Sequence, residues 1–302
     1  MPGAILFIIN PVAGAGQAGA VWSGLQPELE RFGLPVEQVV TQEKGHAKHL
    51  ALAAAAKYPI VVAVGGDGTV SEVAGGILSG NDGTALGIVP LGTGNDFARA
   101  WGIHRAAEGL RAIVGSRTAK ADAIQVKYML QGRNTVGHAV SFVAAGIAAE
   151  AQRQTTDALK RFFGSRLAYR LGVLRALWCY RAPLMRVTCD GQTWEERVLL
   201  LCASNSEHVG GGMRIAPGAR ADDGRFYVNL VQDVGRWEAL SQIRRLSHGR
   251  HTNHPRVRYF SAVKLDVDSD PPSEVAADGD IIGHTPARIE IRHHALRVLI
   301  PR

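Results

Sequence analysis

The stretch from Ile60 to Leu78, IVVAVGGDGTVSEVAGGIL, limits the fold more than any other part of this chain. It opens on a continuous apolar run, Ile60 to Val64, as a strand buried on both faces requires. It then breaks at Gly65-Gly66-Asp67-Gly68-Thr69, after which Val70, Val73, Ile77 and Leu78 recur at helical spacing. The pattern predicts a strand, a glycine turn and a helix. Such a helix directs free N–H groups and its positive dipole end into the turn, where glycines admit a ligand close to the backbone. Phosphate suits that position. The same residues also suit a plain tight turn capped by Asp67 and Thr69. A carboxylate beside phosphates points further, to a metal ion or to a hydroxyl that must lose its proton.

Two similar units flank this one. Ala4 to Ile9 predicts a short buried strand ended by Asn10-Pro11. Gly14, Gly16 and Gly19 follow and spell G-x-G-x-x-G, but the motif stands away from the strand end. The second strand, Val36 to Val40, also ends at Thr41 without an acid, so a dinucleotide fingerprint is not the reading. Val21 to Phe32 reads as helix interrupted at Pro27, and Ala47 to Lys57 as alanine-rich helix. Ala85 to Val89 predicts another strand, leading into Pro90-Leu91-Gly92-Thr93-Gly94-Asn95-Asp96-Phe97-Ala98-Arg99. Strands alternating with helices imply a parallel, doubly wound sheet whose ligand sits beyond the carboxyl ends of the strands. The loops Asn10–Gly16, Gly65–Thr69 and Leu91–Asp96 therefore converge at one edge, with Thr41 near them.

From about Asp122 the texture changes. Segments with strand character run Ile124–Leu130, Val136–Val143, Met185–Thr188, Arg197–Ala203, Phe226–Leu230 and Val257–Val267, divided by turns such as Asp190-Gly191 and Asp223-Gly224. This predicts an antiparallel β domain, a sandwich, over residues 122–290, after an α/β domain over residues 1–121. Arg297 to Ile300 is a last strand, and residues 291–302 are expected to return to the first domain, which would put the active site in a cleft between domains. A helix is expected from Phe162 to Tyr180, with Leu167, Leu171, Leu174 and Trp178 packed on the core and Arg166, Arg170 and Arg175 solvated; contact with lipid is the other reading.

Composition excludes several classes. Of the 302 residues 46% are hydrophobic, enough for a real core, and the 35 glycines follow no short period. Three cysteines without metal-ligand spacing predict reduced thiols in a cytoplasmic protein. No apolar window of about 18 residues escapes a charge, so no transmembrane segment is expected. The net charge of +7 permits an anionic partner without choosing one.

GGDGTVSEV followed by PLGTGNDFAR closely resembles the diacylglycerol kinase catalytic-domain family of soluble lipid kinases. Asn10-Pro11 with Gly14 is similar to the family's opening N-P-x-x-G loop. Gly210-Gly211-Gly212-Met213-Arg214-Ile215-Ala216-Pro217 with Ala221-Asp222-Asp223-Gly224 resembles its G-G-G…P…D-G segment, and Asp278-Gly279-Asp280 stands where the family has D-G-E. The matches keep the family's order over nearly the whole chain. The long second motif looks more like diacylglycerol kinases than sphingosine or ceramide kinases, and NAD kinases share only GGDGT.

The resemblance implies a kinase moving the γ-phosphate of ATP to a lipid hydroxyl, with Mg²⁺. No glycine of GGDGT is followed by Lys-Ser or Lys-Thr, so phosphates would be held by backbone N–H groups of Gly66, Gly68 and Thr69 and by the hydroxyls of Thr41 and Thr93. The nucleotide set so implied is Asn10, Thr41, Gly65, Gly66, Asp67, Gly68, Thr69, Glu72, Thr93 and Asn95. Asp280 takes the place of the family's proton-accepting glutamate, one methylene shorter, with Asp278 supporting it and Asp67 beside Mg²⁺. A second Mg²⁺ would sit at Asp223 with backbone oxygens of Arg220 and Arg225, where an ordinary Asp-Gly turn reads equally well. Another acceptor on the same scaffold, a sphingoid lipid or NAD, and a non-catalytic nucleotide-dependent regulator are the alternatives. A lipid substrate implies a peripheral visit to the membrane and no nucleic acid partner, and a homodimer stays open. Arg244, Arg245, Arg250, Arg256 and Arg258, with His248, His251 and His254, read as a patch for an anionic bilayer or as a solvated edge.

Overall fold

The computed structural model describes residues 4–80, 83–154, 171–246 and 248–301. These form two compact units, Met1–Ala121 with His294–Arg302, and Asp122–His293.

The first unit is α/β. Strands β1 (Ile5–Ile9), β2 (Val36–Val40), β3 (Ile60–Gly65) and β4 (Ala85–Pro90) lie in the order β2-β1-β3-β4, every pair parallel. The three inner strands are buried almost throughout, which is why they read as unbroken apolar runs, whereas β2 at the edge is half exposed. Arg297 and Val298, near the end of the long strand β14 (Asp280–Leu299), continue this sheet in parallel beside Ala85 and Leu86 of β4. The helix Ala18–Arg31 starts earlier than its periodicity suggests and runs through Pro27 without ending. Proline forfeits one helical bond there. Packing outweighs that loss: Trp22 and Leu29 are buried with Phe7 and Val62, the Phe7 and Trp22 rings lie 5.2 Å apart, and Trp22 Nε1 donates to Gln38 Oε1 at 3.1 Å.

The second unit is antiparallel. It comprises β5 (Thr118–Leu130, from Asp122 onward), β6 (Arg133–Ala139), β7 (Phe142–Gly146), β8 (Leu184–Cys189), β9 (Gln192–Ser204), β10 (Phe226–Gln232), β11 (Val257–Ala262), β12 (Lys264–Asp270), β13 (Glu274–Ala277) and the start of β14. Gln131-Gly132, Asp190-Gly191 and Asp278-Gly279 each close a two-residue hairpin with positive φ at both positions, the turn that matches strand twist. Ile124, Val126, Met185, Val187, Phe226 and Leu265 lead its core.

Four sequence expectations change here. Val136–Val143 is two strands, because the backbone leaves the ladder at Val140 and Ser141 to meet Asp278. Val257–Val267 is likewise two, β11 and β12. Of the expected helix Phe162–Tyr180, residues up to 170 lie outside the described residues and 171–179 are helical. Its buried side chains are Ala176 and Leu177, while Leu174 and Trp178, expected in the core, are exposed. The basic run is not one patch: His251 is buried, His254 pairs with Glu238 at 3.2 Å, and Arg258 pairs with Glu196 at 3.2 Å over the Trp194 ring. The Arg244 side chain lies outside the described residues. Among the described residues no helix is long and apolar enough to cross a membrane.

Candidate functional site

At the carboxyl edge of the parallel sheet the three glycine-bearing loops touch one another. The Asn10 amide donates to Thr69 Oγ1 at 3.0 Å and its Oδ1 accepts from Val12 N, so the loop after β1 is tied to the helix Asp67–Gly80. Gly14, at φ +59°, packs against the loop after β4: a Cβ there would overlap the carbonyl oxygen of Leu91. The first glycine of the out-of-place G-x-G-x-x-G thus serves a close loop contact. Gly66 and Gly92 join the other two loops; a Cβ on Gly66 would come within 3.1 Å of Gly92 Cα, and one on Gly92 would overlap Gly66. Gly65 faces Thr69, whose Oγ1 a Cβ would approach to 2.5 Å.

Several predicted ligand residues make hydrogen bonds within this edge. Asn95, in the left-handed conformation at φ +56°, accepts from Gly92 N (3.0 Å) and donates to Gly92 O (2.8 Å), closing its own turn. Glu72 accepts from Gly45 N at 2.9 Å, fixing the segment that follows Thr41, itself held by Thr41 N to Ile9 O at 2.8 Å. Gly68 is exposed, with nothing within 4 Å of an added Cβ, and the Thr93 residue is exposed as well.

Asp67 is the charged centre of the edge. Its carboxylate accepts from Phe97 N at 3.3 Å. Burial raises its pKa from the ordinary 3.8, and the neighbouring charge of Asp96 raises it further, against the backbone N–H groups of Phe97, Asn95 and Asp96. Asp96, 6% exposed and 3.9 Å from Arg99, did not stand out in the sequence beyond its motif; its place in the first turn of Asp96–Ala100 was the available signal. A half-buried carboxylate, Asp67, beside the buried Asp96 makes a donor set suited to a hard divalent cation.

In the second unit Asp278 sits in the turn between β13 and β14. Its Oδ2 accepts from Val140 N and its Oδ1 from Ser141 N and Phe142 N, at 2.8, 2.8 and 2.9 Å, while its own N–H donates to Phe142 O at 3.0 Å. Three backbone donors bond this carboxylate and tie the turn that precedes Asp280, which lies half-buried at the start of β14 opposite Ala277. Asp223 Oδ1 accepts from Arg225 N at 3.1 Å and Oδ2 from Tyr227 Oη at 3.3 Å; the Arg220 guanidinium turns to Asp222 instead, at 3.0 and 3.1 Å. The sequence does not single out Asp122, and His293 is exposed while meeting it. Asp122 is fully buried and accepts from Gly224 N (2.6 Å), with His293 Nδ1 at 2.8 Å. An acid between Ala121 and Ala123 on a buried strand was the only hint.

The family model described as the diacylglycerol kinase catalytic domain matches residues 4–126, and that of the YegS C-terminal NAD kinase beta sandwich-like domain matches residues 141–300. A diacylglycerol kinase of Staphylococcus haemolyticus is 28% identical over 98% of this chain and 87% of its own length. One from Staphylococcus aureus is 28% identical over 93% and 87%. Among solved structures, a putative diacylglycerol kinase from Bacillus anthracis superposes with a TM-score of 0.80 at 24% identity, covering 99% of this chain and 95% of that one. Yeast NADH kinase, complexed with NADH, gives 0.56 at 10% identity over 100% and 84%. An α/β domain followed by a β-sandwich-like domain is the fold this chain shares with these two solved structures. The chain belongs to the diacylglycerol kinase family of lipid kinases.

Proposed function

We propose that this protein transfers the γ-phosphate of ATP to the hydroxyl of diacylglycerol. The observation that carries the reading is the mutual locking of the Asn10, Gly66 and Gly92 loops around an open Gly68. We read the sheet as doubly wound, so that this edge is where a nucleotide would lie. The exposed backbone at Gly68 and the start of the helix Asp67–Gly80 would meet the phosphates, with the Thr41 and Thr93 hydroxyls beside them. Asn10, Gly65, Gly66, Thr69, Glu72 and Asn95 would hold that edge in shape. Asp67, with Asp96, would hold Mg²⁺, which when bound offsets phosphate charge.

Asp280 would accept the proton of the lipid hydroxyl as its oxygen bonds to the γ-phosphorus and ADP departs. The fixed Asp278 would keep Asp280 in position rather than share the proton. Asp223, with backbone oxygens of Arg220 and Arg225, is the proposed second Mg²⁺ position. A carboxylate has about four lone-pair sites, so the Arg225 and Tyr227 donors leave room for it. Asp122 and His293 would brace the same Asp223-Gly224 turn.

The test is transfer of label from γ-labelled ATP to diacylglycerol in mixed micelles, run beside sphingosine and NAD. Label in diacylglycerol is expected. Label in sphingosine or NAD alone would move the acceptor, and label in none of them would overturn the kinase reading.

A further inference from the structure

Exposed apolar side chains gather at one place in the β domain. Leu174 and Trp178, one turn apart on the helix 171–179, are 37% and 46% exposed. Trp237, in the first turn of the helix Arg236–Leu246, is 76% exposed. The two indoles meet edge to face, with ring centroids 5.9 Å apart at 86°. They form one ridge on a firm base, because Ala176, Leu177 and Ala239 beneath them share a buried cluster with Ile147 and Ala151. The core therefore already has its side chains from both helices, and the indoles are additional to it.

The rim of the ridge is basic. Arg175 adjoins Leu174, Arg236 adjoins Trp237, and Arg181 follows the helix end; all three are exposed. The nearest acid in sequence, Glu238, faces His254. Indoles are apolar bodies with one polar N–H, suited to the boundary between headgroups and acyl chains. Arginine beside them pairs with lipid phosphate.

We propose that the Trp178–Trp237 ridge docks this protein on an anionic bilayer, the indoles entering the headgroup layer and the arginines pairing with lipid phosphates. The inference rests on the lipid-kinase reading, since a substrate dissolved in a membrane has to be met at its surface. A second copy of the chain fits less well. Two indoles and a leucine fall short of the roughly 800 Å² per partner of a stable interface, and two-fold pairing would set arginine against arginine.

The experiment is co-sedimentation with phosphatidylcholine vesicles, with and without phosphatidylglycerol, for the wild type, Trp178→Ala/Trp237→Ala and Arg175→Glu/Arg236→Glu. Both variants change exposed side chains, and circular dichroism checks their fold. The wild type should bind the anionic vesicles at least about tenfold more tightly than either variant, as loss of interfacial anchors and of charge attraction demands. Indole fluorescence should shift to the blue in the wild type and be quenched by brominated lipid. Turnover of a short-chain, monomerically dissolved diacylglycerol should be the same in wild type and variants. Equal binding by all three proteins, or binding by none, overturns the proposal, as does a wild-type dimer that the tryptophan variant abolishes. Failure of the kinase reading shows separately, as no labelled diacylglycerol from wild type in any form of substrate.

Discussion

Gly66 and Gly92 meet backbone to backbone, so close that a Cβ on Gly92 would overlap Gly66 Cα at 2.4 Å and one on Gly66 would press on Gly92 Cα at 3.1 Å. Gly68, two residues further on, faces open space. The same motif therefore holds glycines of two kinds. Gly92→Ala should destabilise the α/β domain by about 1–3 kcal/mol, the usual cost of overpacking. Gly68→Val should leave thermal stability nearly unchanged, since helical valine is no worse than helical glycine, and should weaken ATP binding by more than about tenfold through steric overlap with phosphate. Thermal unfolding and calorimetric titration with ATP separate the two. Normal ATP affinity in a folded Gly68→Val protein would place the phosphates elsewhere.

Asp278 and Asp280 should fail in different ways. Asp280→Asn keeps the turn and removes the proton acceptor, so turnover should fall by about 10²–10⁴ with ATP affinity kept. Asp278→Ala strands the N–H groups of Val140, Ser141 and Phe142, which should cost about 1–3 kcal/mol for an unsatisfied donor. Steady-state kinetics beside urea unfolding reads both. A fully active Asp280→Asn enzyme would remove that residue from the mechanism.

The pH dependence should show the Asp67–Asp96 repulsion. Asp67 must be ionised to meet a cation, and burial with the Asp96 charge raises its pKa above 3.8. The acid limb of kcat/KM should therefore lie above the ordinary carboxylate range. Asp96→Asn removes the repelling charge, lowers the Asp67 pKa and should move that limb to lower pH. A limb that stays in place in this variant would assign it to another group.

His251 predicts acid sensitivity of the β domain. It is 1% exposed, with Nε2 3.1 Å from Ile215 O and 2.9 Å from Asn229 Oδ1, and burial lowers its pKa below 6.5. The folded state thus favours the neutral ring, while the unfolded chain takes up a proton near pH 6.5. Its contribution is full above that pH and is lost as pH falls toward the lower folded value. Urea midpoints should drop on acidification from pH 7 through this window in the wild type. His251→Gln should start from lower stability and show a shallower drop. An equal slope in both proteins would clear His251 of the effect.

The alternation of strands and helices in the first unit, the glycine turns and the change to β texture near Asp122 are legible in the amino-acid order alone. These are local signals: apolar period, glycine, and turn pairs such as Asp190-Gly191 show within a few residues. Tertiary structure decided what those signals could not carry. Asp278 breaks a strand 136 to 138 residues away in sequence, and Asp122 braces Gly224 across 102. Pro27 does not stop its helix, because burial of Trp22 and Leu29 outweighs one lost bond. The helix 171–179 carries apolar residues at two helical phases, Leu174 with Trp178 and Ala176 with Leu177, and periodicity alone favoured the larger pair for the core. The neighbouring helices accept the smaller pair, since close helix packing leaves room for alanine and leucine where an indole would not fit, and the tryptophans are left outside. Which side of a helix faces inward depends on the shape it meets, and that shape comes from residues far away in the chain.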